Sequence, residues 1–268
     1  MCPLGKRLLT GEGGWLERTH ICCHCLLVEG RNGLILVDTG LGTGDVAFPR
    51  RLGLGFNLGM QPRLMMEETA LHQIRALGFD PRDVQHVVPT HLDLDHAGGL
   101  GDFPQAQVHV FEREHDAAMS RATLVERERY VPAQWAHGPK WTRHAVQGDR
   151  WMGFEAMQAL PGTDDEVLLV PLTGHTHGHC GIAVRGDNGW LLHCGDAYFH
   201  HAEMNPQPTC PIGLSIFQKV LAMDGPQRVA NQQRLRDLKR DHGSEVTLFC
   251  AHDPVELAPL SRASQVRR

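Results

Sequence analysis

Thr90-His91-Leu92-Asp93-Leu94-Asp95-His96-Ala97-Gly98-Gly99 packs two histidines and two aspartates into one short string, directly after the apolar run Val87-Val88-Pro89. A strand that ends in imidazoles and carboxylates aims several metal donors at one point. Three more segments are built alike. Gly174-His175-Thr176-His177-Gly178-His179 follows Val167–Pro171, Gly195-Asp196 follows Trp190–Cys194, and Ala251-His252-Asp253 follows Val246–Cys250. Each lies beyond the C-terminal end of an apolar strand, so several strands of one layer are expected to deliver their ligands to a common edge. Imidazole and carboxylate together suit a dinuclear site of zinc-like ions. Two such ions would activate a water near neutral pH and polarise a carbonyl, which is the chemistry of hydrolysis. No Gly-x-Ser-x-Gly nucleophile elbow competes with it.

Each fragment alone has a bland explanation. A single His-x-x-x-x-His pair is usually not a metal site, and Asp38-Thr39-Gly40 is an ordinary turn after a strand. Tyr198 alone is more often a packed tyrosine than a catalytic one. Cys180, Cys194 and Cys250 sit beside the ligands but are expected to behave as small hydrophobes. His177 and His193 are read as bland, as are His20, His72, His86, His144, His200, His201 and His242, which have no motif around them. Cys22-Cys23-His24-Cys25 looks like a metal knuckle. It is read instead as part of a strand, Ile21–Val28, whose side chains alternate between faces and cannot all reach one ion.

The elements that must hold these residues are short strands between turns and helices. Ile21–Val28 and Leu34–Val37 form a pair around Gly30-Arg31-Asn32-Gly33. Glu67–Leu77 is expected to be a helix capped by Gly78, because Ala70, Ile74 and Leu77 share a face. Asp80-Pro81 opens a helical turn. Gln85–Pro89, Gln107–Phe111, Val167–Pro171, Gly181–Arg185, Trp190–Cys194 and Val246–Cys250 read as strands, with helices from Arg113 and over Pro226–Arg240, the latter with a solvated basic side. Val46–Met66 and His200–Met223 are apolar and fit no neat element; each is expected to be a lid or an interface, a homodimer contact included. The tail Ser261–Arg268 is polar and expected to be disordered.

Length and composition agree with this outline. The chain has 268 residues, 41% hydrophobic and 21% charged, with 18 histidines. A net charge of -5 and a pI of about 6.4 give no electrostatic case for nucleic acid or an anionic membrane. The start lacks the apolar core of a signal peptide, and no run approaches the roughly 20 apolar residues that span a bilayer. A cytoplasmic location and reduced thiols for the eight cysteines are therefore expected.

The ordered motifs resemble the metallo-β-lactamase superfamily. Asp38-Thr39-Gly40, the string from His91 to His96, Gly174-His175-Thr176, Gly195-Asp196 and His252 match in order and spacing over residues 20 to 255. The run from Met66-Glu67-Glu68 through Leu77-Gly78-Phe79-Asp80-Pro81-Arg82-Asp83-Val84, with Asp196-Ala197 near Tyr198 and His252-Asp253, is similar to the N-acyl-homoserine lactonase branch. The resemblance implies an α/β fold, a four-layer αββα sandwich, in a single domain over residues 1–268. It implies that His91, residue 93 and His175 hold one ion, that Asp95, His96 and His252 hold the other, and that Asp196 bridges them. Asp38 and His179 would support the ligands, and Thr90 and Thr176 would orient their loops. It further implies hydrolysis of a lactone by a metal-bridging hydroxide, the quorum-quenching reaction when that lactone is an acyl-homoserine lactone, with Tyr198 donating to the oxyanion and Asp95 passing a proton to the leaving alkoxide.

Asp93 departs from that pattern, in which most members carry His. It can ligate directly, which hardens the site towards iron or manganese in place of zinc; it can be too short to reach; or the site can hold one ion. Direct ligation is favoured because the rest of the set is intact. Other hydrolyses of the superfamily (thioester, phosphodiester, β-lactam), an iron-dependent oxygen-using role and a non-catalytic metal-binding role stand as alternatives to the lactone, with a small molecule as partner in the catalytic cases.

Overall fold

Gly33-Leu34-Ile35-Leu36-Val37 and Val167-Leu168-Leu169-Val170 are apolar at consecutive positions, a pattern that suits a strand only when both of its faces are covered. In the computed structural model of the protein both strands are covered on both sides. The structure describes residues 1–161, 163 and 166–265, with 155–158 and 262–265 as backbone only. One sheet runs β1 (Leu26–Gly30), β2 (Gly33–Val37), β3 (Val84–Val88), β4 (Gln107–Phe111), β5 (Lys140–His144), in that spatial order. The other contains β6 (Asp149–Trp151), β7 (Phe154–Ala159), β8 (Val167–Pro171), β9 (Cys180–Gly186), β10 (Gly189–His193) and β11 (Val246–Phe249), with β11 beside β10 at one end and β6 at the other. The helices are α1 (Lys6–Thr10), α2 (Thr43–Ala47), α3 (Leu54–Met60), α4 (Ala70–Ala76), α5 (Glu112–Ser120), α6 (Leu124–Arg129), α7 (Ile212–Leu221), α8 (Gly225–His242) and α9 (Pro254–Gln265).

Alternation along the strands sorts the core into three apolar layers. Ile35, Val37 and Val88 of the first sheet meet Val167, Leu169, Ile182 and Val184 of the second. Leu34, Leu36 and Val87 point the other way, onto Ile74 of α4 and Ala117 and Ala118 of α5. Leu168, Val170 and Leu192 point outward from the second sheet onto Leu235 and Leu238 of α8. Helix, sheet, sheet, helix is therefore the αββα sandwich. Each fully buried Val or Leu contributes roughly 1.5–3 kcal/mol, so the three layers hold the sheets against one another firmly.

Strand direction is what positions the site. β2, β3, β4 and β5 are mutually parallel, and β10 pairs parallel with β11. β8 and β10 are each antiparallel to β9 and so share a direction. The loops after β2, β3, β8, β10 and β11 carry Asp38, His91–His96, His175, Asp196 and His252. The ligands thus come from both sheets, not from one layer as the sequence suggested.

Several boundaries also differ. The first strand starts at Leu26, not Ile21, because His24 N–H donates to Ala251 O at 2.8 Å and its carbonyl accepts from His193 Nε2 at 2.6 Å, which takes this stretch out of the ladder. Val46–Met66 holds α3 and the end of α2, and His200–Met223 holds α7, so both apolar segments are largely helical. α8 buries Arg228, Asn231, Gln232, Leu235 and Leu238 along one face. Ser261–Gln265 belongs to α9 instead of a disordered tail, and 266–268 lie outside the described residues. Among the described residues no helix is long and apolar enough to cross a membrane.

Candidate metal centre

The loop after β3 is built to present its polar side chains inward. Asp38 adopts a left-handed backbone, φ 53°, which an aspartate tolerates better than most residues. Its carboxylate accepts from Thr90 N–H at 2.6 Å and from His96 Nδ1–H at 2.8 Å. Burial pushes the Asp38 carboxyl up, but the neighbouring His96 ring outweighs it and holds the group at about 2. With Nδ1 engaged, His96 turns Nε2 to the cluster. Thr90 Oγ1 lies 3.0 Å from His91 Nδ1 and so turns that ring the same way. His252 does the same through Nδ1, 2.7 Å from the Cys22 carbonyl.

Two groups result. His91 Nε2 and His175 Nε2 lie 3.3 and 3.1 Å from Asp93 Oδ2. His96 Nε2 and His252 Nε2 lie 3.3 Å apart, with Asp95 oxygens 3.9 and 3.7 Å from them. Asp196 stands between the groups. Its Oδ2 is 3.8 Å from His91 and 3.4 Å from His175, while its Oδ1 is 3.3 Å from His96 and 3.1 Å from His252. One carboxylate thus offers one oxygen to each group. The sequence-predicted residues His91, Asp93, Asp95, His96, His175, Asp196 and His252 are all brought together.

Most of these donors lie 3.1–3.4 Å apart, which matches the edges of a coordination polyhedron with bonds of about 2.1 Å, while Asp95 stands slightly farther out at 3.7 and 3.9 Å. Asp196 Oδ1 and His91 Nε2 are buried with no hydrogen-bond partner, a costly arrangement in a native core unless something else satisfies them. The charges agree. Burial opposes protonation of His96 and His252, yet Asp196 chiefly raises both rings well above their ordinary range. Burial likewise pushes Asp196 up, and those rings bring it well below the carboxylate range. The cluster asks for cations, and these residues fit two divalent ions.

Four groups support the centre in ways the motifs did not reveal. Arg129, at the end of α6 and 4% exposed in its side chain, places Nε 3.0 Å from Asp93 Oδ1. It also donates to the carbonyls of His175 and Leu221 at 2.8 and 2.9 Å. Burial pushes the Asp93 carboxyl up, but Arg129 first, then His91, hold it well below the ordinary range. Glu114 of α5 accepts from Leu92 N–H, Thr176 Oγ1 and Gly178 N–H at 2.9, 2.6 and 3.0 Å, tying the loop of His91 to that of His175. His193, read as bland, accepts Gly195 N–H at Nδ1, 3.1 Å away, and fixes the turn before Asp196. Cys23 brings its Sγ within 4.8 Å of donor atoms of Asp95 and His252. Only Cys23 had a sequence signal, in the knuckle-like run around it.

His179 supports Asp196 by accepting its backbone N–H at Nε2, 2.9 Å away. Gly195 must be glycine: at φ 52° a Cβ would come 2.6 Å from His179 Nε2.

Tyr198 stands apart. It is fully buried in the core layer beneath α8, and its hydroxyl donates to Glu256 at 3.0 Å instead of facing the cluster. The structure therefore does not place it as an oxyanion donor. Its neighbour Phe199 does face the site, stacked on His252 at 5.3 Å and 6.0 Å from His175, with Phe217 of α7 5.7 Å beyond. A last group, His200, His201 and Asp253, closes a turn: His200 Nδ1 accepts Ala202 N–H, and Asp253 accepts from His201 N–H and Nδ1.

Comparison with known proteins agrees with this geometry. A family profile described as the metallo-beta-lactamase superfamily matches residues 22–245. A probable metallo-hydrolase of Mycobacterium tuberculosis is 42% identical over 242 residues, covering 90% of this chain and 77% of that protein. An N-acyl homoserine lactonase of Rhizobium radiobacter is 29% identical over 253 residues, 89% of this chain and 84% of that protein. Among solved structures, a mutant of the Bacillus thuringiensis protein AiiA with N-decanoyl-L-homoserine at its active site superposes with a TM-score of 0.69 at 20% identity, covering 96% of this chain and 92% of that one.

Proposed function

The chain belongs to the metallo-beta-lactamase superfamily and is a metal-dependent hydrolase, and from that premise we propose that it opens a lactone, an acyl-homoserine lactone or a similar cyclic ester. The observation that carries the reading is Asp196, with one carboxylate oxygen on each donor group. We assign His91, Asp93 and His175 to one position, Asp95, His96 and His252 to the other, and Asp196 to both. Two divalent ions bound there, zinc being the expected metal, would supply a deprotonated water as nucleophile and polarise the ester carbonyl.

The chain's own residues do the rest. Asp95 is the least enclosed of the three carboxylates, so it is the group assigned to take the proton of the hydroxyl newly added to the ester carbon and pass it to the leaving alkoxide. Phe199 covers His252 and His175 and keeps bulk water off that side of the cluster. Phe199 meets Phe217 of α7, and the same helix exposes Ile212, Ile216 and Val220 at 62%, 56% and 72%. That stripe is suited to an acyl chain, and likeness to lactonases along most of the chain supports the same substrate class.

The test is turnover by metal-loaded protein of acyl-homoserine lactones with short and long chains, beside a thioester, a phosphodiester and a β-lactam, with metal counted on the same sample. Ring opening above the other classes, lost in Asp196→Ala and His175→Ala, is expected. Preference for another class with two ions bound would overturn the lactone assignment. Undiminished rates in both variants would overturn the site.

A further inference from the structure

Cys23 reaches the second position by the way its segment is stapled. Residues 22–24 lie against the loop of His252. His24 N–H donates to Ala251 O at 2.8 Å, Cys22 Sγ lies 3.5 Å from the same carbonyl, and the Cys22 carbonyl accepts from His252 Nδ1 at 2.7 Å. Cys22 and His24 are buried, and Cys23 between them is half-buried. The Cys23 Sγ, a ring nitrogen of His252 and an oxygen of Asp95 are mutually within 4.8 Å. Asp196, 5% exposed in its side chain, brings its unpartnered Oδ1 within 3.1 Å of His252 Nε2 in the same group.

We propose that Cys23 is a further protein donor of the position formed by Asp95, His96 and His252, binding the ion as a thiolate. On binding, the Sγ–H proton leaves to solvent and a sulfur–metal bond forms, with no change of oxidation state. The two positions are then chemically unlike. One has the carboxylate Asp93 backed by Arg129 and favours harder ions, whereas the other has a thiolate and favours softer ones. The inference rests on the two-ion reading of the centre but not on the identity of the substrate.

Cobalt(II) alone is the probe, added to full-length protein stripped with a chelator, with bound cobalt counted and the near-ultraviolet spectrum recorded. Two cobalt ions per chain and a thiolate-to-cobalt charge-transfer band are expected. The band should vanish in Cys23→Ser and persist in Cys22→Ser, and Cys23→Ser should bind its weaker cobalt at least roughly tenfold less tightly, on the scale of losing a supporting group at a metal site. Two bound ions without the band, or a band that survives in Cys23→Ser, would overturn the role of Cys23 while leaving the two-ion site standing. Failure of the wild-type chain to bind cobalt would overturn both. Circular dichroism of each variant separates loss of a donor from loss of fold.

Discussion

Replacing Asp93 by His would seem to restore the pattern common in the superfamily, yet the structure predicts that this single change does harm. Arg129 Nε lies 3.0 Å from Asp93 Oδ1, and the side chains are 4% and 12% exposed. Removing one partner of a buried pair leaves an uncompensated charge and costs about 3–5 kcal/mol. Asp93→His is therefore expected to lose about that much stability at about pH 8, where the new imidazole is neutral. It should also bind metal poorly, since an unpaired guanidinium would face the ion. Arg129→Met strands Asp93 in the same way and also gives up the two carbonyl contacts to His175 and Leu221. The double variant Asp93→His/Arg129→Met removes both charges, so it keeps only the cost of those contacts, and the coupling energy between the sites should be about 3 kcal/mol or more. Urea unfolding of all four proteins in chelator, followed by circular dichroism, measures it. A coupling below about 1 kcal/mol, the scale of an exposed pair, or an Asp93→His protein as stable as wild type, would refute the argument.

Tyr198→Phe removes only a bond to Glu256; it should cost about 1 kcal/mol of stability and leave kcat far from the roughly 10²-fold loss that follows removal of an oxyanion donor. Glu114→Gln keeps the shape but cannot accept as well from Leu92, Thr176 and Gly178; metal affinity should fall about 10-fold or more, read by competition with a chelating dye. His109 lies between His86 and His144, its ring nitrogens 2.9 and 3.0 Å from theirs, and burial pushes it down to about 3. A buried ring that resists protonation contributes stability that is present above the unfolded value of about 6.5 and is lost as pH falls from there towards the folded value. Between pH 7 and pH 5 the loss should be about 2 kcal/mol, and it should be absent from the pH dependence of His109→Gln measured the same way; an unchanged slope would refute it.

The sequence exposed the parts of this protein whose physics is local. Val167–Pro171 was legible to the residue because a strand buried on both faces is apolar at consecutive positions, and Gln107–Phe111 because its Val-x-Val-Phe run is rich in strand-forming residues despite His109. The ligand loops were legible because His and Asp are rarely so dense without cause. Arg129 and Glu114 were not legible. Each is one charged residue in a short polar helix, and only the crossover from β4 to β5 brings it against loops far away in the chain. Tyr198 shows the opposite error. The family resemblance implied catalysis for it, but its hydroxyl turns to Glu256, and of the two neighbours it is Phe199 that faces the cluster. The helices of 46–66 and α7 escaped because glycines and exposed apolar residues such as Leu54, Leu58 and Ile216 blur the helical period.

Arg129 also changes what Asp93 means. A carboxylate in place of a neutral imidazole would by itself add a negative charge to the centre, bind one ion more tightly and blunt its power as a Lewis acid. Here that carboxylate divides its oxygens: Oδ1 faces the Arg129 guanidinium and Oδ2 faces His91 and His175. The pair is neutral as a unit, so the net charge offered to the ions comes from Asp95, Asp196 and the proposed Cys23 thiolate, as it would with His at position 93 and no arginine beside it. With Asp93 as the proposed ligand, what changes is the donor atom, oxygen in place of nitrogen, held by a group that cannot deprotonate. The substitution therefore alters which ion is preferred at that position more than whether an ion binds. This favours a working hydrolase with two unlike positions over one disabled by Asp93, and it makes Arg129 the residue to change together with Asp93.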